Sequence, residues 1–249
     1  SHTGQTTIYA DHEVLPIGKK TIIRDENGKE IKKQIIRSYA DASYWDLWVE
    51  DIPAPGSKYY TIEIKEEPVP NYANDKKEIA TIENEWYRIQ LDIHKGVVTE
   101  WFDKGLDKNL ISSDAEWQMG ELIYERDDKR GALDQFKPGN FKRFSPPKVT
   151  YEGCQQGYIW DTYKFKGTSP AGMDEDNFIF EIKLYKTCKQ VNFTYRLKKK
   201  QETEPEALYV AFPFELNQGK IYFDVPGGTI EAGVEQIPGS TTDWNTVQN

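Results

Sequence analysis

A chain of 249 residues has material for one large domain or two smaller ones, each with a core of its own. Its formal net charge is −9, and its one basic run, Lys198-Lys199-Lys200, is followed closely by Glu202 and Glu204, so a nucleic-acid partner is not expected. No segment reaches the roughly 18–20 apolar residues of a membrane span, and no membrane partner is expected either. The 13% aromatic content favours pleated, half-buried surfaces and hence strands.

Taken in chain order, the predicted elements are strands. Thr21–Arg24 and Ile31–Ile36 flank Asp25-Glu26-Asn27-Gly28, and Asn-Gly supplies the positive φ angles of a tight hairpin. The stretch Glu66–Asp75 is polar and carries two prolines, and it divides the chain into a small β-sandwich over residues 1–67 and a larger antiparallel unit over 78–249. Tyr87, Ile89, Leu91 and Ile93 alternate with polar residues, the chain turns at Lys95-Gly96, and it resumes as Val97–Phe102. Phe178, Phe180, Ile182 and Leu184 share one strand face, and Val191, Phe193, Tyr195 and Leu197 share another. A one-residue slip would expose either set, so the register is expected to be firm. The run Ala207–Phe214 is continuously apolar, as for a strand buried on both faces. No stretch has helical periodicity. The last residues, Asp243–Asn249, read like a strand just starting.

Little catalytic chemistry is legible. There are three histidines: His12 lacks the second histidine of a zinc-protease helix, and His94 sits in a hairpin turn. No GxSxG elbow, phosphate loop or dinucleotide fingerprint occurs, and Pro226-Gly227-Gly228 is expected to be a plain turn. Neither catalytic nor metal-binding residues are therefore assigned. Cys154 and Cys188 lie far apart, and Cys188, in a turn, reads as a free, partly exposed thiol. Asn192-Phe193-Thr194 matches a glycosylation sequon but heads a strand. The loop Glu231–Trp244 gathers carboxylates, an amide, a Pro-Gly turn and an indole. Glu235, Gln236, Asp243 and Trp244 are the candidate sugar-contacting residues, against the plainer reading of an inter-strand connector. The N-terminus shows no signal-peptide pattern, and the compartment stays open between periplasmic or secreted and cytoplasmic.

Three stretches resemble the C-terminal β region of glycoside hydrolase family 38 and related α-mannosidases. The first is Asp51-Ile52-Pro53-Ala54-Pro55-Gly56 with Tyr59–Ile62. The second runs from Ile82-Glu83-Asn84-Glu85-Trp86-Tyr87 to Gly96–Lys104, and is similar to a strand opening Glu-Asn-Glu and the glycine-led strand ending Asp-Lys that follows it. The third combines Leu184-Tyr185-Lys186, Ala207–Phe214 and Glu235–Ser240. The resemblance implies an all-β fold, a small β-sandwich followed by a galactose mutarotase-like supersandwich. It also implies that the catalytic α/β and helical domains belong to the same polypeptide as partners, with zinc and the aspartate nucleophile of retaining mannoside cleavage held there. No cofactor is expected in this chain. In that family a Gly-Ala-Tyr segment lends a tyrosine to the active site. Its counterpart here is Arg130-Gly131-Ala132-Leu133-Asp134, with Leu133 in the tyrosine's place, a departure that fits a divergent relative with a different substrate.

Three readings follow. The chain is a non-catalytic part of an α-mannosidase-like enzyme, completing its fold and the cleft for a mannoside-like glycan. Alternatively it is a stand-alone carbohydrate-binding module that stacks sugars on exposed Trp101, Trp117, Trp160 or Trp244. The third reading, a mutarotase-like epimerase, needs an acid and a base and has only His94 to offer in the larger unit.

Overall fold

The computed structural model describes residues 1–69, 76–127, 141–217, 219–231 and 234–235. Among these residues the regular structure is strand and every ladder is antiparallel, so the all-β expectation holds.

Five strands build the N-terminal part: β1 (His2–Asp11), β2 (Lys19–Asp25), β3 (Lys33–Ser38), β4 (Ala42–Ile52) and β5 (Tyr60–Pro68). One sheet has the order β1-β4-β3 and the other pairs β2 with β5. Leu15, Ile23, Trp45, Leu47 and Val49 are buried together as their core. The expected hairpin between β2 and β3 is only partly made. The Asn-Gly turn forms, with Gly28 at φ 78° and its N–H donating to the Asp25 carbonyl, and Arg24 bridges Glu30. Beyond Ile31 the chain leaves β2 and β3 joins the other sheet beside β4. The reason is burial: the crossing puts Ile31 and Ile35 over the shared core, whereas a long two-stranded ribbon would leave one apolar face wet.

The rest of the chain forms β6 (Thr81–Glu83), β7 (Tyr87–Asp92), β8 (Val97–Asp103), β9 (Lys108–Asn109), β10 (Leu122–Asp127), β11 (Phe141–Phe144), β12 (Lys148–Gln155), β13 (Trp160–Thr168), β14 (Phe178–Tyr185), β15 (Val191–Leu197), β16 (Glu206–Val210), β17 (Tyr222–Val225) and β18 (Gly228–Glu231). Two meanders, β6-β7-β8-β9 and β12-β13-β14-β15, contribute to one core, in which Ile89, Val98 and Trp101 of the first meet Phe165, Phe180 and Ile182 of the second. That is the face-to-face arrangement of a β-sandwich.

The β14–β15 register is the expected one, with Phe180 opposite Tyr195, Ile182 opposite Phe193 and Leu184 opposite Val191. Phe165 on β13 continues the row, and the rings stack at 5.5 Å (Phe165–Phe180) and 4.5 Å (Phe180–Tyr195). The residues carrying the family resemblance hold this core shut. Asn84 accepts the N–H groups of Trp86 (2.9 Å) and Tyr87 (2.6 Å) and donates to the Tyr185 carbonyl (2.7 Å). Lys104 donates to the Asn84 carbonyl at 2.6 Å and pairs with Glu83 at 2.5 Å. Asp103 is buried, caps the turn after β8 through the N–H groups of Gly105 and Leu106, and meets Lys189 at 2.7 Å.

The run 207–214 corrects an expectation. It gives β16, which pairs only with β10 among the described strands, in the sheet β11-β10-β16, and Leu208, Tyr209, Phe212 and Phe214 are exposed. An unbroken apolar run reports that both faces suit a covered position, and among the described residues this strand stands at a sheet edge.

Cys154 and Cys188 are not joined in a disulfide, and Cys154 is buried while Cys188 is half-buried. His94 lies exposed beside the β7–β8 turn, as expected. No described helix is long and apolar enough to cross a membrane.

Candidate functional site

The two cores are joined through the hairpin between β12 and β13. Gln34, buried on β3, accepts the N–H groups of Ile159 (3.1 Å) and Trp160 (3.2 Å) on its carbonyl oxygen, and its amide nitrogen donates to the Trp160 carbonyl (3.1 Å). Tyr185 adds a hydroxyl bond to Gln5 at 2.8 Å. Gly157 is needed at the hairpin tip because a Cβ there would stand 2.1 Å from the Gln34 side-chain oxygen. The tip is stiffened from behind, with the Gly157 N–H on Asp161 (3.0 Å) and Lys186 on both the Gly157 carbonyl (3.0 Å) and Asp161 (2.7 Å).

This joint leaves a cleft of about 860 Å3 between β2, β3 and the hairpin. Ile22, Ile31, Ile35 and Trp45 contribute an apolar lining, while Gln155, Gln156 and the exposed Tyr158 ring come from the hairpin. Lys33 reaches across it to donate to the Thr21 carbonyl, and burial holds its ammonium below the usual lysine range, with Glu30 pulling the other way. Trp45 is buried and, among the described residues, its indole N–H has no hydrogen-bond partner. None of these residues stood out in the sequence. Gln34 and Lys33 are polar residues between isoleucines, and alternation cannot distinguish a buried amide from a solvated one.

A second cavity, about 330 Å3, is lined by His94, Gln118, Glu121, Ser145 and Tyr195 among others. Glu121 is occupied by the Gln118 N–H (2.9 Å) and the Ser145 hydroxyl (2.5 Å), and Tyr195 donates to the Gly120 carbonyl (2.5 Å). Burial pushes the Tyr195 phenol well above its usual range. A third hollow, open and aromatic, is formed by Trp101, Phe193, Phe212 and Phe214, with Phe193 and Phe212 edge to face at 5.4 Å and Trp101 and Phe214 at 5.9 Å.

The residues singled out in the sequence are only partly visible. Glu235 follows β18, and its carboxylate accepts the Glu231 N–H at 2.7 Å, while Glu231 pairs with Lys220 at 2.7 Å. Gln236, Asp243 and Trp244 lie outside the described residues, as do Arg130–Asp134 and Pro70–Asp75. Trp101 is buried in the larger core, Trp160 is buried with Ile159 and Tyr185 at the joint, and Trp117 is half-buried, so neither of the first two offers an exposed stacking face. Among the described residues no group of three or more His, Cys, Asp or Glu side chains is placed to hold a metal ion.

Comparison with known proteins agrees with the motifs. No curated protein matches the chain. A family model, the glycosyl hydrolases family 38 C-terminal domain, matches residues 82–246, from β6 through β18 and beyond. That match spans about two thirds of the sequence and contains both meanders and the aromatic hollow, so the chain belongs to glycosyl hydrolase family 38 through its C-terminal domain.

Proposed function

We propose that this chain is the non-catalytic β portion of an α-mannosidase-like enzyme, packing against the catalytic and helical domains of the same polypeptide and helping to shape the cleft for a mannoside-like glycan. The observation that carries this reading is the aromatic face made by half-buried Phe193 on β15 with exposed Phe212 and Phe214 beyond β16, uncovered among the described residues and within the family-matched region. Contiguous exposed aromatic surface favours contact with further protein. Three of the buried carboxylates of that region support the same reading, because they are engaged in structural ion pairs: Asp103 with Lys189 (2.7 Å), Asp161 with Lys186 (2.7 Å) and Glu125 with Arg143 (2.6 Å). A galactose mutarotase-like supersandwich is the finer fold we assign to this region. The zinc and nucleophile of mannoside cleavage are assigned to the other domains. Glu235, Gln236, Asp243 and Trp244 are proposed to face the glycan cleft of the whole enzyme.

The test is a hydrolysis assay on the purified chain with an aryl α-mannoside, with and without added zinc. No turnover is expected, and zinc-dependent turnover that survives rigorous purification overturns the proposal. In the full-length enzyme, E235A/Q236A is expected to weaken glycan turnover while leaving thermal stability nearly unchanged. Unchanged turnover would leave Glu235 with only its bond to the Glu231 N–H.

A further inference from the structure

The cleft between β2, β3 and the β12–β13 hairpin has no part in the proposal above, and its chemistry is distinct. Its lysines are unequally matched. Lys19 and Lys20 are paired with Glu66 (2.8 Å) and Glu67 (2.9 Å), but among the described residues no carboxylate lies within ion-pair distance of Lys32 or Lys33. Lys33 is half-buried, and its one described hydrogen bond runs to the uncharged carbonyl of Thr21. An ammonium has three N–H donors, and a carbonyl on one of them leaves the desolvated charge largely uncompensated. Trp45, more than nine-tenths buried, adds ring surface to the same lining. The lining is mixed: Ile22, Ile31 and Ile35 give it an aliphatic stretch, Glu30 and Glu67 stand on it as carboxylates with Glu67 held by Lys20, and the volume of about 860 Å3 lies within the usual range of small-molecule sites. The hairpin amides of Gln155 and Gln156 can serve some hydroxyls of a polyhydroxylated ring, but those turned toward the isoleucines would go without partners, a cost an apolar body does not carry.

We propose that this cleft is a binding site for an apolar carboxylate, a medium-chain fatty acid or a molecule of that class, whose chain lies along Ile22, Ile35 and Trp45 and whose carboxylate pairs with Lys33. The carboxylate supplies the missing countercharge, one oxygen serves the ammonium, and the exposed Tyr158 ring stands where the hairpin borders the opening. Nothing in this assignment requires the chain to be part of a mannosidase, so it stands or falls separately.

Calorimetric titration of the full chain tests it, with decanoate as the probe and decanol, glucuronate and a triglutamate peptide as comparators. Decanoate is expected to bind and to outcompete all three by at least tenfold, and backbone amide shifts in NMR are expected at Gln155, Gln156 and Tyr158. K33M is expected to weaken decanoate binding at least tenfold and K33R to restore most of it, with folding of each variant checked by circular dichroism. K95A, remote from the cleft, is expected to leave binding unchanged. Should K33M unfold the chain, K33Q provides the second variant, and a loss of decanoate affinity of at least tenfold is expected from the missing charge. Absence of decanoate binding overturns the proposal. So does equal affinity for decanol, which removes the role of charge, or tighter binding of glucuronate or the acidic peptide, which reassigns the cleft to a polar or polypeptide ligand.

Discussion

Asp103 stands in the Asp-Lys pair by which the chain resembles its family, and in the folded protein it is a structural group. Burial raises its pKa, but Lys189 and the N–H groups of Leu106 and Gly105 outweigh that and hold the carboxyl below its usual value. A depressed folded-state pKa gives stability that is fully present above the unfolded value of about 3.9 and is lost as pH falls through the folded value. The urea midpoint of the native chain is therefore expected to fall as the pH drops below about 5, and D103N is expected to be less stable at neutral pH with a shallower acid limb. Parallel limbs for the two proteins would show that other carboxylates dominate. Asn84 makes the same point without charge. Its side chain serves two N–H groups and a carbonyl on a neighbouring strand, and N84A is expected to cost about 1–3 kcal/mol in denaturant unfolding.

At the scale of elements, β14 and β16 carry similar apolar stretches and have different fates. Phe180 on β14 is 1% exposed and stacks on Phe165 and Tyr195, whereas Leu208 on β16 is 41% exposed. Truncating Phe180 to alanine opens a cavity in the core and is expected to cost about 3–5 kcal/mol, while L208S is expected to stay within about 1 kcal/mol of the parent. Comparable losses from both would mean that β16 is covered in solution. The difference was only half legible in sequence. The alternation over 178–184 and 191–197 identified a one-faced pair and its register, because a slip would invert every side chain. The unbroken run over 207–214 identified no face at all, and its position at an edge depends on what pairs with it. The β2–β3 turn was legible for the same local reason, since Asn27-Gly28 needs nothing beyond its own backbone. The departure of β3 to the other sheet was not, because it is decided by Trp45 and Leu47 on a strand further along.

At the scale of the molecule, Gln34 and Gly157 set how the two cores meet. Removing the amide in Q34A leaves the N–H groups of Ile159 and Trp160 without their acceptor, and G157A forces the amide away; each is expected to lower the cooperativity of unfolding and to destabilise by about 1–3 kcal/mol. Hydrogen exchange at Ile159 and Trp160 reads the effect directly, and unchanged protection would place the joint elsewhere. The aromatic hollow belongs to this scale too. The double change F212S/F214S is expected to reduce binding of a hydrophobic dye and self-association of the isolated chain, because it removes two of the exposed rings of the patch.

What the sequence by itself determined about this protein is local or repetitive: strand content, from two-residue alternation; the tight turns, from Asn-Gly and Lys-Gly; and family membership, from short stretches in a fixed order. Those signals arise from residues near one another in the chain, where backbone sterics and the pleat act directly. Only the tertiary structure decided which strands became partners, that Gln34 lies against a loop 125 positions away, and that Lys33 and Trp45 face a shared cleft. The physical reason is that alternation specifies which face of a strand is buried and carries no label for the surface that buries it. A half-buried lysine and a solvated one are spelled alike until the fold brings Thr21, Ile22 and Tyr158 around one of them.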